Sequence, residues 1–125
     1  MKHTYKNILL FIVAIILSTI LYPIGFLYAI VKGGDRYHYL FKVSYSIDQT
    51  GNVLCGKLFN RTLLKKDTVV SFGNPDETIS SVIGRAKLAQ ELSYTGRAVD
   101  TFLNILDNNH SIKSIEQSEN DYHNK

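Results

Sequence analysis

Cysteine occurs once in these 125 residues, at Cys55. A single thiol excludes an internal disulfide framework and a multi-cysteine metal site. In a reducing compartment Cys55 reads as a small buried apolar residue; facing an oxidising one, it can link two copies of the chain. Gly-rich phosphate loops, zinc-ligand spacings and nucleophile elbows are also absent, so no motif points to a cofactor. Nor is there a strong charge of either sign. From Lys32 onward, 12 of the 14 Lys+Arg face all 11 Asp+Glu. That near balance gives no argument for a nucleic-acid partner.

Charge is missing altogether from Ile8 to Val31, "ILLFIVAIILSTILYPIGFLYAIV". About 20 such residues cross a hydrocarbon core of about 30 Å as a helix, so the run is long enough to span with some tilt. A cleaved signal peptide has a shorter apolar region, about 7–15 residues, before a small-x-small site. Here the run ends in "GFLYAIVKGG", with large residues in those places. The expectation is a retained single-pass anchor in a membrane, with the lipid bilayer as its partner. Pro23 and Gly25 are tolerable in such a helix. Tyr5, Tyr22, Tyr28 and Tyr37 suit the interfaces. Ser18 and Thr19 can bond back to the helix backbone and need no pore to explain them. Lys2 and Lys6 at one end nearly balance Lys32, Arg36 and Lys42 at the other, so the flanking charges set no orientation.

Gly33-Gly34 punctuates the exit from the anchor. In "RYHYLFKVSYSID", 36–48, aromatic and β-branched residues fall on every second position, which predicts a half-buried strand. An extension of the helix with interfacial tyrosines is the alternative. The best partner strand within the chain is "TVVSF", 68–72. Between them Asp48 can cap a helix whose inward stripe is Leu54, Cys55, Leu58, Phe59, Thr62 and Leu63. Beside that stripe Lys57, Arg61 and Lys65 recur at i+4, with Lys66 adjacent. They form either a solvated face or a contact with anionic head groups.

The segment "FGNPDETISSVIGRA", 72–86, reads as a helix start. Asn74 is placed as N-cap, Pro75 at the first helical position, Asp76 in the first turn, and Glu77 reaching back as a capping box. As metal ligands, Asp76 and Glu77 are too few. Ile79, Val82, Ile83, Ala86 and Ala89 make the inward face, and Gly84 within it implies close contact with a neighbouring element. After a turn at "SYTG", a helix is predicted from about Thr95 to Asp107, with Val99, Phe102, Leu103 and Leu106 inward. A short turn, "SIKSIEQ", follows. His110 lies near Asp107 and Ser111 but reads as a capping histidine. The chain is thus expected to be mainly α: a single N-terminal transmembrane helix, then a small α-rich domain with one or two short β-strands. Its divisions are a flank (1–7), the transmembrane helix (8–31), a linker and strand (32–48), a small helical domain (49–116) and a disordered tail (117–125).

Three stretches, "SIDQTGNVL" (46–54), "FGNPDETISSVIGRA" (72–86) and "LDNNHSIKSIE" (106–116), resemble in order and spacing a group of small uncharacterised proteins of tailed bacteriophages and prophages. That group carries a Gly-x-Pro-Asp-Glu-Thr-Ile-Ser segment, here Gly73 to Ser80. It is followed by an aliphatic helix and a terminal Leu-Asp…His-Cys element. The chain departs from the pattern at Ser111, where the group often has cysteine. The resemblance implies a phage origin, and with it an anchor in the host inner membrane or that of a virion, and carries over no activity or catalytic residue. Three function classes are then open: a structural or interaction protein, which binds a protein partner or itself; a holin-like or accessory lysis protein; and a membrane-tethered hydrolase using Asp76, Glu77 or His110. The first fits best, because no catalytic constellation is present.

Overall fold

The computed structural model describes residues 2–123. Five helices occur among the described residues: α1 Lys2–Lys32, α2 Arg36–Thr62, α3 Ile79–Leu88, α4 Tyr94–Leu106 and α5 His110–His123. The chain divides into two compact units, 1–40 and 41–125.

In the first unit α1 exposes apolar side chains all along its length, Leu9, Ile16, Leu21 and Leu27 among them. It is the one described helix long and apolar enough to cross a membrane. The Ser18 and Thr19 hydroxyls donate to the Ile15 carbonyl at 3.0 and 2.8 Å, so neither polar group is left open to the surroundings. Gly33 and Gly34, with φ of 80° and 102°, end the helix. The Asp35 carboxylate then accepts the His38 N–H at 3.0 Å and starts α2.

That cap overturns the expected strand at 36–48. A helix pairs its own backbone groups, whereas a lone strand needs a partner. The proposed partner, 68–72, is irregular chain, and no strand occurs among the described residues; a single antiparallel bridge joins Leu64 to Leu92. Asp48 therefore lies inside α2 and caps nothing there. At the other end, α5 continues to His123, so the tail expected to be disordered from 117 is helical as far as it is described. Residues 124–125 lie outside the described residues.

The core of the second unit gathers Leu63, Leu64, Val70, Phe72, Val82, Ile83, Ala86 and Leu92, with Phe59, Ile79, Val99 and Leu103 packed against it. Phe59 meets Phe72 edge-on at 5.4 Å between ring centres. The expected stripe of α2 is only half correct. Leu54 and Leu58 are 72% and 59% exposed, while Asn52 and Gly56 are buried in their place. On α4, Val99 and Leu103 pack inward as expected, but Phe102 and Leu106 are exposed, as is Ile105.

Gly84 does what its position in an aliphatic helix requires. A Cβ there would fall inside van der Waals contact of the Ser111 carbonyl oxygen and 2.7 Å from its carbon, because the backbones of α3 and α5 touch. In an open helix, Gly→Ala stabilises by about 1 kcal/mol. Here Gly84→Ala is expected to lower stability by about 1–3 kcal/mol, the usual cost of overpacking, measured by chemical denaturation of the detergent-solubilised chain.

Candidate functional site

Asn74, Pro75, Asp76 and Glu77 do not open α3. The N-cap is Thr78, in extended conformation (φ −81°, ψ 158°), whose hydroxyl accepts the Ser81 N–H at 3.1 Å. The four upstream residues form a separate turn, in which the Asn74 side-chain oxygen accepts the Asp76 N–H at 3.1 Å. The shift has a physical reason. The carbonyls of Asn74 and Glu77 both accept the Asn52 side-chain amide of α2, at 3.0 and 2.8 Å, which fixes the turn against that helix. Glu77, placed by sequence in a capping box, instead binds Arg85 at 2.7 Å.

What holds the segment is a polar ladder along α2 with a spacing of four. Asp48 accepts the Ile79 N–H at 3.1 Å and the Ser80 hydroxyl. A carboxylate at the start of α3 also complements the helix dipole. Asn52, fully buried, accepts the Gly73 N–H at 2.9 Å in addition to its two donations. Gly56 makes room, since a Cβ there would meet Gly73 Cα at 2.9 Å. Asn60 accepts the Phe72 N–H at 2.7 Å and donates to its carbonyl at 3.1 Å. Glu91 completes the clamp from the far side. Its carboxylate accepts the N–H groups of Val69 and Val70 at 3.0 and 2.9 Å. These two bonds, with help from nearby Lys65, hold the Glu91 carboxyl below its ordinary value. Sequence reasoning missed Asn52, Asn60 and the true role of Asp48. The signal was there as short polar residues at i, i+4 and i+12, legible only once the helix is known to start at Arg36.

The basic residues are not one stripe. Lys57 and Arg61 lie exposed a turn apart on α2, which ends at Thr62. Lys65 lies beyond it and donates to the Gln90 carbonyl at 2.7 Å; Lys66 is exposed in the loop. His110 and Ser111 do not cooperate. The His110 ring meets Asp107 at 3.3 Å, while the Ser111 hydroxyl donates to buried Asp100 at 2.6 Å. Asp107 also accepts Lys113 at 2.9 Å, and these two contacts, Lys113 foremost, lower its carboxyl pKa. Among the described residues no group of three or more His, Cys, Asp or Glu is placed to hold a metal.

Cavities lie among the described residues of the second unit. One, of about 150 Å³, is lined in part by Tyr45, Asp48, Ser80 and His110. Another, of about 410 Å³, brings together Lys65, Lys87 and Arg97 beside Asp100. No family model, curated protein or solved structure matches the chain. The class defined by fold alone is a small helical protein with one helix able to span a membrane.

Two outcomes test the clamp. Asn52→Leu leaves the Gly73 N–H and two carbonyls without their partner, so it should cost about 2–4 kcal/mol in urea denaturation. Glu91→Gln tests the far side. A carboxyl whose folded pKa is depressed adds stability above its unfolded value, and loses it as pH falls through the folded one. The stability gap between wild type and Glu91→Gln should therefore be full near neutrality and shrink as pH falls below 4.5, the carboxyl's ordinary value.

Proposed function

We propose that this chain is a single-pass membrane protein of phage or prophage origin, with a structural or interaction role and no catalysis of its own. The observation that carries the reading is α1, whose uncharged stretch exposes apolar side chains along its whole length. In water such a surface is far beyond the few hundred Å² of apolar patch that soluble monomers carry. In a bilayer it is the surface that belongs there. The large residues of "GFLYAIVKGG" favour retention over cleavage.

An interaction role for the domain draws support from its polar chemistry, which is spent on structure. Asp48, Asn52, Asn60 and Glu91 bind backbone, and His110 and Ser111 engage different carboxylates. Meanwhile Leu54, Leu58, Phe102, Ile105 and Leu106 stay exposed, as they would on a protein that meets others. The Gly73–Ser80 segment, through its resemblance to phage proteins, supports the origin. Expressed in bacteria, the full-length chain should float with membranes after alkaline carbonate washing, and its mature N-terminus should precede the apolar run. An N-terminus near Lys32, or release by carbonate, would overturn the reading.

A further inference from the structure

The larger cavity carries a surplus of positive charge that the fold does not consume. Its cations come from three places in the chain: Lys65 from the loop after α2, Lys87 from the last turn of α3, and Arg97 from the first turn of α4. The cavity holds a single carboxylate, Asp100, which binds Lys87 at 2.8 Å. Elsewhere in the same unit Arg85 pairs with Glu77, while Lys113 and His110 share Asp107. Arg97 has no ion-pair partner among the described residues; its guanidinium lies over the Tyr94 ring, 5.9 Å from the centre. Three cations beside one carboxylate leave the cavity lining net positive, even though Glu91 lies near enough to Lys65 to offset part of its charge.

The heads are also placed in advance. The Lys65 ammonium is fixed on the Gln90 carbonyl and the Lys87 ammonium on Asp100, which is itself held by the Ser111 hydroxyl. An ammonium has three N–H donors, so each lysine keeps two for a ligand. Ordering these long side chains beforehand removes part of the entropy cost of binding.

We propose that this cavity binds a phosphate monoester, with Arg97 as the principal ligand and Lys65 and Lys87 beside it. The charge fits, because such a group carries about −1.5 to −2 near pH 7. The donor geometry fits, because a guanidinium fork grips phosphate oxygens in pairs. The size fits as well: about 410 Å³ lies within the roughly 300–1,000 Å³ of small-molecule sites and leaves room for an organic moiety against Leu92. The monoester is either a free metabolite or a phosphatidic acid head group in the bilayer, since the recognised chemistry is shared.

The test uses the full-length chain in an uncharged detergent, titrated with glycerol 3-phosphate and followed by ³¹P NMR, and the same chain in lipid discs with or without phosphatidic acid. Saturable broadening in detergent is expected. Arg97→Gln should weaken binding about tenfold or more. Lys57→Gln and Arg61→Gln, outside the cavity on α2, should leave it unchanged. Arg97 is exposed, and circular dichroism checks that the variant melts like wild type. If discs with phosphatidic acid alone bind in an Arg97-dependent way, the source is the lipid; if glycerol 3-phosphate binds equally with either disc, it is a free ligand. Two results overturn the assignment. One is the absence of saturable, Arg97-dependent binding in both arms up to about 10 mM. The other is an equal loss in Lys57→Gln, which would mean diffuse attraction.

Discussion

The buried carboxamide of Asn52 is the contact on which the second unit depends. Between the end of α2 and the start of α3 the chain runs for some sixteen residues without regular structure, yet it must enter the core to deliver Val70 and Phe72. Irregular chain that goes inside brings unpaired N–H and C=O groups with it, and each must find a partner or cost free energy. Asn52 meets three of those groups at once and Asn60 two, from a rigid helix. Neither amide could be replaced by an apolar side chain of the same size without stranding backbone groups. The polar ladder therefore comes before the hydrophobic packing in the logic of the fold, since the core residues of the loop reach their places only when its backbone is satisfied.

Close backbone approach is the second constraint. Gly56 admits Gly73, Gly84 admits the Ser111 carbonyl, and Gly96 admits the Leu63 carbonyl. Each removes a methyl group where two segments cross, and each costs conformational entropy in the unfolded chain that a contact must offset. Among the described residues the core has eight buried apolar side chains, which is small, so density at the crossings substitutes for size. Asp100 works in the same spirit. It joins Lys87 of α3 and Ser111 of α5 to α4, and so fixes the relative placement of three helices. A buried ion pair is weak evidence for stability, but it disfavours any packing that leaves the carboxylate unpaired.

How much of this could be read from the sequence follows from which signals are local. The apolar run of α1, the aliphatic face of α3 around Val82 and Ile83, the limits of α4 and the crowding at Gly84 all rest on composition or on 3.6-residue spacing, and they stand. The strand at 36–48 failed because alternation and helix cap compete in the same residues. Asp35 with Gly33-Gly34 was a start signal that the alternating tyrosines obscured. The capping box at Asn74 failed for a different reason: its residues suit a helix start, but Asn52, 22 positions upstream, binds the carbonyls first. Phe102 and Leu106 satisfy the pattern of an inward face and lie outside, since periodicity says which residues share a face and not how much of it is covered. In the basic set, Lys65 was misread because the helix ends at Thr62, so i+4 spacing no longer puts it beside Arg61.

The same features that settle the fold shape its larger cavity. Asp100 is indispensable to the crossing of α3, α4 and α5, so it cannot be surrendered to neutralise Arg97 as well. The Gln90 carbonyl is available to Lys65 because the residue adopts φ of 57° as α3 ends, a turn that also brings Glu91 round to clamp the loop. Charge left over near Arg97 is therefore a consequence of where the fold spends its carboxylates: Glu77 on Arg85, Glu91 on the loop backbone, Asp48 on the start of α3. The result is a cavity that three cations line beside a single carboxylate.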